Sequence, residues 1–281
     1  MKQHTLKETV TFQGQGLHSG KETQMNVLPA APGHGIKFIR VDLNPASVID
    51  GNALNITKTD LCTTLGSGAE SISTIEHLMA AFLGLGIDNA VVEIDAPEVP
   101  IMDGSSLPFA EQFLKVGLQE QDAPRKSWVV KKTFEFCDDD RVVKIEPSDH
   151  SSYHCSIDFG SGFIGQQSID FSLTRENFLD LANSRTFCHV KEVDYLKSIG
   201  LAQGGSLENA IVVTDNGIMN EGGLRSEDEF VRHKLLDCIG DLFLLGAPII
   251  GRITVTKPGH GLHAKFMKEV LRKKDELFTV I

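Results

Sequence analysis

The run Ser226-Glu227-Asp228-Glu229-Phe230-Val231-Arg232-His233-Lys234-Leu235-Leu236-Asp237-Cys238-Ile239-Gly240-Asp241-Leu242-Phe243-Leu244-Leu245-Gly246 has the punctuation of one long helix. Ser226 with Glu229 three residues on has the form of a capping box, and acidic residues fill the first turn. Apolar residues then recur at helical spacing until Gly246 supplies a stop. Within that helix His233, Asp237 and Asp241 fall at i, i+4 and i+8. Residues so spaced share one stripe, so an imidazole and a carboxylate one turn apart can reach a single ion. The plain alternative is a solvated face, the usual fate of polar residues four apart on an amphipathic helix.

A second helix start tips the balance. Ser73-Thr74-Ile75-Glu76-His77-Leu78-Met79-Ala80-Ala81-Phe82 offers an adjacent glutamate and histidine. Two histidines and one aspartate make a three-ligand set with one open position, the arrangement of catalytic zinc, and a carboxylate next to it can serve as base. Glu76 also sits three residues after Ser73, so a capping box accounts for it equally well on local grounds.

Composition sets the outer bounds. The 281 residues are 41% hydrophobic and 23% charged, an ordinary globular balance with length enough for two domains. A net charge of −11 argues against general nucleic-acid binding, which needs a broad basic surface. Cys62, Cys137, Cys155, Cys188 and Cys238 are odd in number and scattered without a Cys-x-x-Cys pair, which speaks for a reducing cytoplasm and against a thiolate zinc site. Met1 to Glu8 lacks the apolar run of a signal peptide, and no stretch reaches the roughly 18 apolar residues of a spanning helix.

Around the two helix starts the pattern is β-rich. Strands are expected at 5–13, 22–29, 36–41 and 90–94, with helices at 74–83 and 107–116; Gln119 to Ser127 is polar, carries a proline, and reads as a linker. The second half repeats the order. Strands are expected at 128–136, 141–146, 153–159 and 250–256, with helices at 175–182, 227–245 and 263–274. Phe82 to Ile94 and Phe243 to Val255 have equal length and the same helix-glycine-strand pattern, a sign of duplication. A site between two such helices would lie in a cleft.

Other chemical residues are ambiguous one by one. His260, in Thr256-Lys257-Pro258-Gly259-His260-Gly261, reads as a loop histidine after a strand; His18 lies between glycines; Asp241 suits either a histidine pair or a solvated face. Thr186, in Ser184-Arg185-Thr186-Phe187, could donate to an oxyanion or merely pack. Lys234 could hold an anion or be solvated. Gln203-Gly204-Gly205-Ser206 lacks the ending of a phosphate-binding loop and reads as a turn.

Taken together and in order, Gly16-Leu17-His18-Ser19-Gly20, Thr74-Ile75-Glu76-His77-Leu78, Ser184-Arg185-Thr186-Phe187, Gly204-Gly205-Ser206, Phe230-Val231-Arg232-His233-Lys234-Leu235-Leu236-Asp237 and Lys257-Pro258-Gly259-His260 resemble the UDP-3-O-acyl-N-acetylglucosamine deacetylases of lipid A biosynthesis. The resemblance implies an α+β fold of two similar domains, each a layered helix and sheet sandwich with an insert, and an active site between them. On this chain the boundaries fall at 1–122 and 128–281, with the second insert near 187–213. It implies one zinc ion per chain, with ferrous iron the alternative, held by His77, His233 and Asp237. Glu76 would be the base, His260 the acid or electrostatic partner of the leaving amine with Asp241 orienting it, and Thr186 the oxyanion donor. Lys234, Asp158, Phe159 and Lys257 match substrate-binding positions, the last three near the nucleotide.

The partner so implied is a UDP-linked acylated sugar, hydrolysed by a monomeric cytoplasmic enzyme at the committed step of its pathway. A surplus of apolar residues between Phe187 and Val213, Val193 and Ile199 among them, would line a passage for the acyl chain. The rivals are a zinc hydrolase for another amide, and a binding protein whose structural zinc would need a fourth protein ligand.

Overall fold

A computed structural model describes residues 1–281. Its principal helices are α1 (Glu76–Leu85), α2 (Leu107–Val116), α3 (Arg175–Ala182), α4 (Val190–Ser198), α5 (Glu229–Phe243) and α6 (His260–Arg272). They combine with two five-stranded sheets into an α+β fold. The first sheet runs Val10–Gln15, Glu22–Pro29, Ala90–Ile94, Ile36–Arg40, Ser47–Asp50, and the second Phe134–Asp138, Arg141–Glu146, Arg252–Thr256, Ser152–Asp158, Gln166–Ser172. In both, the middle strand is last in the chain, antiparallel to the second strand of the row and parallel to the fourth. Each middle strand follows the helix that carries the candidate ligands, α1 in one half and α5 in the other. The repeated pattern at Phe82 to Ile94 and Phe243 to Val255 therefore marks topologically equivalent elements.

The middle strands alternate as half-buried strands do: Ala90, Val92 and Ile94 in the first, Ile253 and Val255 in the second, turn inward. Phe12 of the first sheet packs edge-on against Phe109 and Phe113 of α2, with ring centroids 5.0 and 5.8 Å apart. Phe134 of the second sheet stacks on Phe266 of α6 at 6.1 Å. Between these layers α1 meets α5 closely, since a Cβ added to Gly240 would lie 2.0 Å from the Glu76 carbonyl oxygen. All ten residues of α1 are buried, so this helix has no solvated face. One apolar cluster of 59 buried residues runs through both halves, so the two helix layers share a core.

Several expectations change. The expected linker is in part a strand: Leu118–Pro124 pairs antiparallel with Lys2–Leu6. Its side chains are mostly exposed, so no apolar alternation advertises it. The edge strands Ser47–Asp50 and Gln166–Ser172 are silent in the sequence for the same reason. Ser226 and Glu229 do not form a capping box. The N-cap of α5 is Asp228, without a side-chain cap, and Glu229 turns fully inward to Arg185 and Arg225. The second insert holds α4 against the strands Phe187–His189 and Ile211–Thr214, which pair in parallel.

Candidate metal and catalytic site

The first turn of α1 and the middle of α5 bring His77, His233 and Asp237 together, one ligand atom from each lying within 4.8 Å of the others. Asp237 Oδ1 is 3.4 Å from Nε2 of His77 and 3.4 Å from Nε2 of His233, and it has no hydrogen-bond partner although buried. The other carboxylate oxygen accepts from Lys234 Nζ at 2.8 Å. His233 Nδ1 faces the Ser184 carbonyl at 3.1 Å, so that nitrogen carries the proton and Nε2 presents a lone pair. An unpaired carboxylate oxygen facing an imidazole lone pair is unfavourable for the protein alone and suited to a divalent cation. Two nitrogens and one oxygen fit zinc or ferrous iron.

Burial pushes the His233 imidazole down to about 3, against the pull of Asp237, which keeps it neutral as a ligand must be. Burial would raise the Asp237 carboxyl, but His233 and Lys234 outweigh it and hold the group well below its ordinary value. For Lys234 burial works against the charge, and the Asp237 carboxylate more than offsets it.

Glu76 opens α1, and the expected cap from Ser73 is absent: the helix has no side-chain cap. The Glu76 carboxylate instead accepts the Thr63 backbone N–H at 3.1 Å and lies 3.9 Å from Nε2 of His260. Burial raises its pKa, with His260 and His77 opposing. His260 is not a loop residue. It is the first residue of α6 and is buried, with Nδ1 2.7 Å from Asp241 Oδ2. Burial disfavours its charge, yet Asp241 and Glu76 raise its pKa to about 9. Asp241 in turn lies well below its ordinary value, because its imidazole partners outweigh the cost of burial.

Two partners of Asp241 escape sequence reasoning. The Thr63 hydroxyl donates to Oδ1 at 2.6 Å, and Nδ1 of the fully buried His263 lies 2.7 Å from Oδ2. His263 is three residues after His260, so a helix begun at His260 rather than at 263 would have put both imidazoles on one face. Thr63 carries no signal, since it meets Asp241 only through the fold.

The remaining residues are spread more widely. Thr186 is half-buried two residues after Ser184, whose carbonyl faces His233, with its backbone N–H donating to Gly104 and its carbonyl accepting from Ile211, both at 2.8 Å. Its neighbour Arg185 is held by Glu229, which accepts from the Arg185 backbone N–H at 3.0 Å and from the guanidinium at 2.9 Å; this fixes the Ser184 carbonyl that orients His233. A line of rings leads outward from His233 through Phe187, 6.1 Å away, to Phe159 a further 5.7 Å on. Phe159 is half exposed. Asp158 and Lys257 border a separate hollow of about 360 Å³, and Lys257 Nζ is 2.5 Å from Asp140 and 3.7 Å from Asp158.

A cavity of about 680 Å³ starts at His260 and Lys234 and continues between α4 and the loops of the first half. Phe187, Val193 and Leu196 line it, as do Val190 and Val212. Ile199 does not: it caps the end of α4 and is 52% exposed. It continues the spacing of Val190, Val193 and Leu196 but lies past the last residue of α4, where the helix ends. His18 also borders the cavity, buried, with both ring nitrogens unpartnered. Burial lowers its pKa, against Glu98.

Two like sheets enclosing a layer of helices, with a histidine and carboxylate cluster buried where those helices meet, define an α+β protein with a buried candidate metal site. The chain belongs to the UDP-3-O-acyl N-acetylglycosamine deacetylase family, whose model matches residues 3–272. It is similar to the UDP-3-O-acyl-N-acetylglucosamine deacetylase of Geobacter sp. (strain M21), 48% identical over 280 residues that cover 99% of this chain and 92% of the relative. The protein of the same name from Myxococcus xanthus (strain DK1622) is 46% identical over 270 residues, 96% of this chain and 86% of that one. That from Methylococcus capsulatus (strain ATCC 33009 / NCIMB 11132 / Bath) is 46% identical over 280 residues, 98% and 91% respectively.

Proposed function

We propose that this chain hydrolyses the N-acetyl group of a UDP-linked, 3-O-acylated N-acetylglucosamine, releasing acetate and the free amine at the committed step of lipid A biosynthesis. The observation that carries the reading is the unpartnered Asp237 Oδ1 facing two histidine nitrogens, with a second, base-capable carboxylate at Glu76, the residue adjoining His77. Three protein ligands are the number of a catalytic zinc site, where a structural site takes four. The names of relatives matched along nearly the whole chain supply the substrate class. One zinc ion per chain is the proposed cofactor, ferrous iron the alternative, with His77, His233 and Asp237 as its ligands. Bound there, the ion supplies Lewis acidity, which lowers the pKa of water and polarises an amide carbonyl.

The chain's own groups do the rest. Glu76, raised by burial and reaching no cation closer than His260, takes the proton of the attacking water. The Thr186 hydroxyl is assigned to the negative charge that develops on the carbonyl oxygen, and the Lys234 ammonium to holding the substrate. His260, raised to about 9, is charged at neutral pH and supports departure of the amine, with Asp241 fixing its ring. The nucleotide is assigned to Asp158, Phe159 and Lys257 and the acyl chain to the cavity beside α4, where Phe187, Val193 and Leu196 meet it. The halves at 1–122 and 128–281 are proposed as two domains. No helix is long and apolar enough to cross a membrane, and a cytoplasmic site of action is proposed.

The test couples metal analysis to acetate release. Protein carrying one equivalent of metal should release acetate from the acylated UDP-sugar, lose activity to a chelator and regain it with zinc or ferrous ion. Full turnover in metal-free protein would exclude the reading.

A further inference from the structure

Glu98, in Ala96-Pro97-Glu98-Val99-Pro100, is 1% exposed, and its oxygens go to three uncharged donors from two distant segments. Oε1 accepts the His18 backbone N–H at 2.8 Å and the Thr74 hydroxyl at 2.9 Å, while Oε2 accepts the Ser19 backbone N–H at 2.7 Å. The fit is close enough that a Cβ on Gly16 would stand 2.4 Å from Oε2, so the turn needs glycine there. A carboxylate presents an acceptor on both oxygens, and charge strengthens such bonds. An amide in its place would aim an NH₂ group at a backbone N–H.

Both segments lead to the site. Thr74 has φ 58, a left-handed conformation that costs a β-branched residue energy and persists only where the surroundings enforce it. Two residues later comes Glu76 and then His77, at the head of a helix with no side-chain cap to set its start. The other segment carries His18 on the wall of the 680 Å³ cavity, its ring nitrogens free of protein partners. That turn is gripped from the far side as well: Gly204 N–H donates to the Leu17 carbonyl at 3.0 Å and Gln203 N–H to that of His18 at 3.2 Å. A Cβ on Gly204 would lie 2.3 Å from the Gly16 carbonyl oxygen.

We infer that Glu98 is a positioning residue whose single carboxylate sets two parts of the site at once: the His18 imidazole at the cavity wall, and the left-handed residue from which α1 delivers Glu76 and His77. The inference rests on the deacetylase reading. Its two arms separate kinetically, because the Thr74 contact governs groups at the reacting bond and the His18 contact governs the wall met by the acyl chain.

Glu98→Gln and Thr74→Val are compared with unmodified, metal-loaded enzyme on the acylated UDP-sugar, with rates normalised to the folded, metal-bearing fraction. Thr74→Val removes one hydroxyl at nearly constant shape and should lower kcat about tenfold with KM within about twofold, as misplacement of a reacting group does. Glu98→Gln should lower kcat similarly and also raise KM for the long-chain substrate about tenfold. If Glu98→Gln does not fold, the kcat of Thr74→Val decides. Normal kcat in both variants beside an active unmodified enzyme would overturn the inference, as would losses that vanish after normalisation to folded protein. An unmodified enzyme that releases no acetate would instead refute the deacetylase reading.

Discussion

Replacing Asp241 with asparagine isolates one electrostatic effect. The carboxylate is buried, accepts from Thr63 and faces His260 and His263 at 2.7 Å each, and is the main reason the buried His260 reaches about 9. The amide of an Asp241→Asn variant would keep an oxygen for one of these donors but lose the charge. Glu76 still supports the charge but burial opposes it, and His260 should fall from about 9 toward the ordinary histidine value of about 6.5. At pH 8 a group at about 9 is mostly protonated and one at about 6.5 is only a few per cent so, a loss of about thirtyfold in the charged form. At pH 6 the same change costs little. Asp241→Asn should therefore bring the basic limb of kcat/KM down from near 9 toward about 6.5, with the deficit growing as pH rises. A basic limb still near 9 would refute the assignment of His260 as the charged partner held by Asp241.

The same pair sets a stability window. His260 is raised in the folded chain, so its contribution is complete below about pH 6.5 and is lost as pH climbs through about 9. Asp241 is lowered, so its contribution is present above about pH 4 and is lost as pH falls further. The rise of His260 corresponds to about 3 kcal/mol, counted once for the pair. Melting temperature should drop by roughly 5 °C between pH 6.5 and 9.5 in the unmodified protein and by much less in Asp241→Asn. Equal slopes would contradict the coupling.

Other outcomes follow from the same geometry. Glu76→Gln should keep fold and metal while lowering kcat by roughly 10² to 10⁴, as loss of a general base does; early melting with normal turnover would make Glu76 merely structural. His233→Ala and Asp237→Ala each remove one of three ligand atoms, so bound zinc measured by elemental analysis should fall together with activity. Leu196→Asp or Val193→Asp should weaken a long-chain substrate far more than a short-chain analogue, because each buried methylene is worth about 0.8 kcal/mol; the exposed Ile199→Asp should change neither, and equal losses in all three would remove the acyl chain from this cavity. Gly240→Ala drives a methyl group against the Glu76 carbonyl and should cost about 3 kcal/mol or more by thermal melting.

What the sequence makes legible is local. His233 and Asp237 share a helix at i and i+4, and Glu76 adjoins His77, so spacing alone can nominate them. The inward strands announce themselves by alternation because one face of each is buried. The edge strands and Leu118–Pro124 are largely solvated and leave no such mark. Thr63, Glu98 and His263 are invisible for another reason: the contacts that make them matter are tertiary. Thr63 reaches Asp241 across 178 positions and Glu98 reaches His18 across 80, separations no periodicity encodes. Capping boxes mislead twice, at Ser73 with Glu76 and at Ser226 with Glu229. In both, the glutamate serves a buried polar network, and a buried carboxylate gains more from the donors of such a network than from one frayed backbone N–H.

The duplicated topology accounts for where the site lies but not for its contents. α1 and α5 occupy equivalent places before the middle strands of equivalent sheets, yet α1 supplies Glu76 and His77 from its first turn, whereas α5 supplies His233, Asp237 and Asp241 from positions one turn apart along its length. A symmetric pair of helices would offer two like half-sites; the offset makes a single cluster, with three candidate ligand atoms within 4.8 Å of one another and the His260 imidazole 3.9 Å from Glu76. The contact that sets the offset is backbone to backbone, with Gly240 against the carbonyl of Glu76. Gly240 lies between Asp237 and Asp241 in the chain. This close approach between the halves therefore also bears on the spacing of the proposed base from the candidate ligands and from the Asp241–His260 pair. A shift of one turn at that contact would move α5 by about 5.4 Å along α1, far beyond the reach of a shared ion. The packing of the common core and the spacing of the chemistry are thus fixed by the same missing side chain.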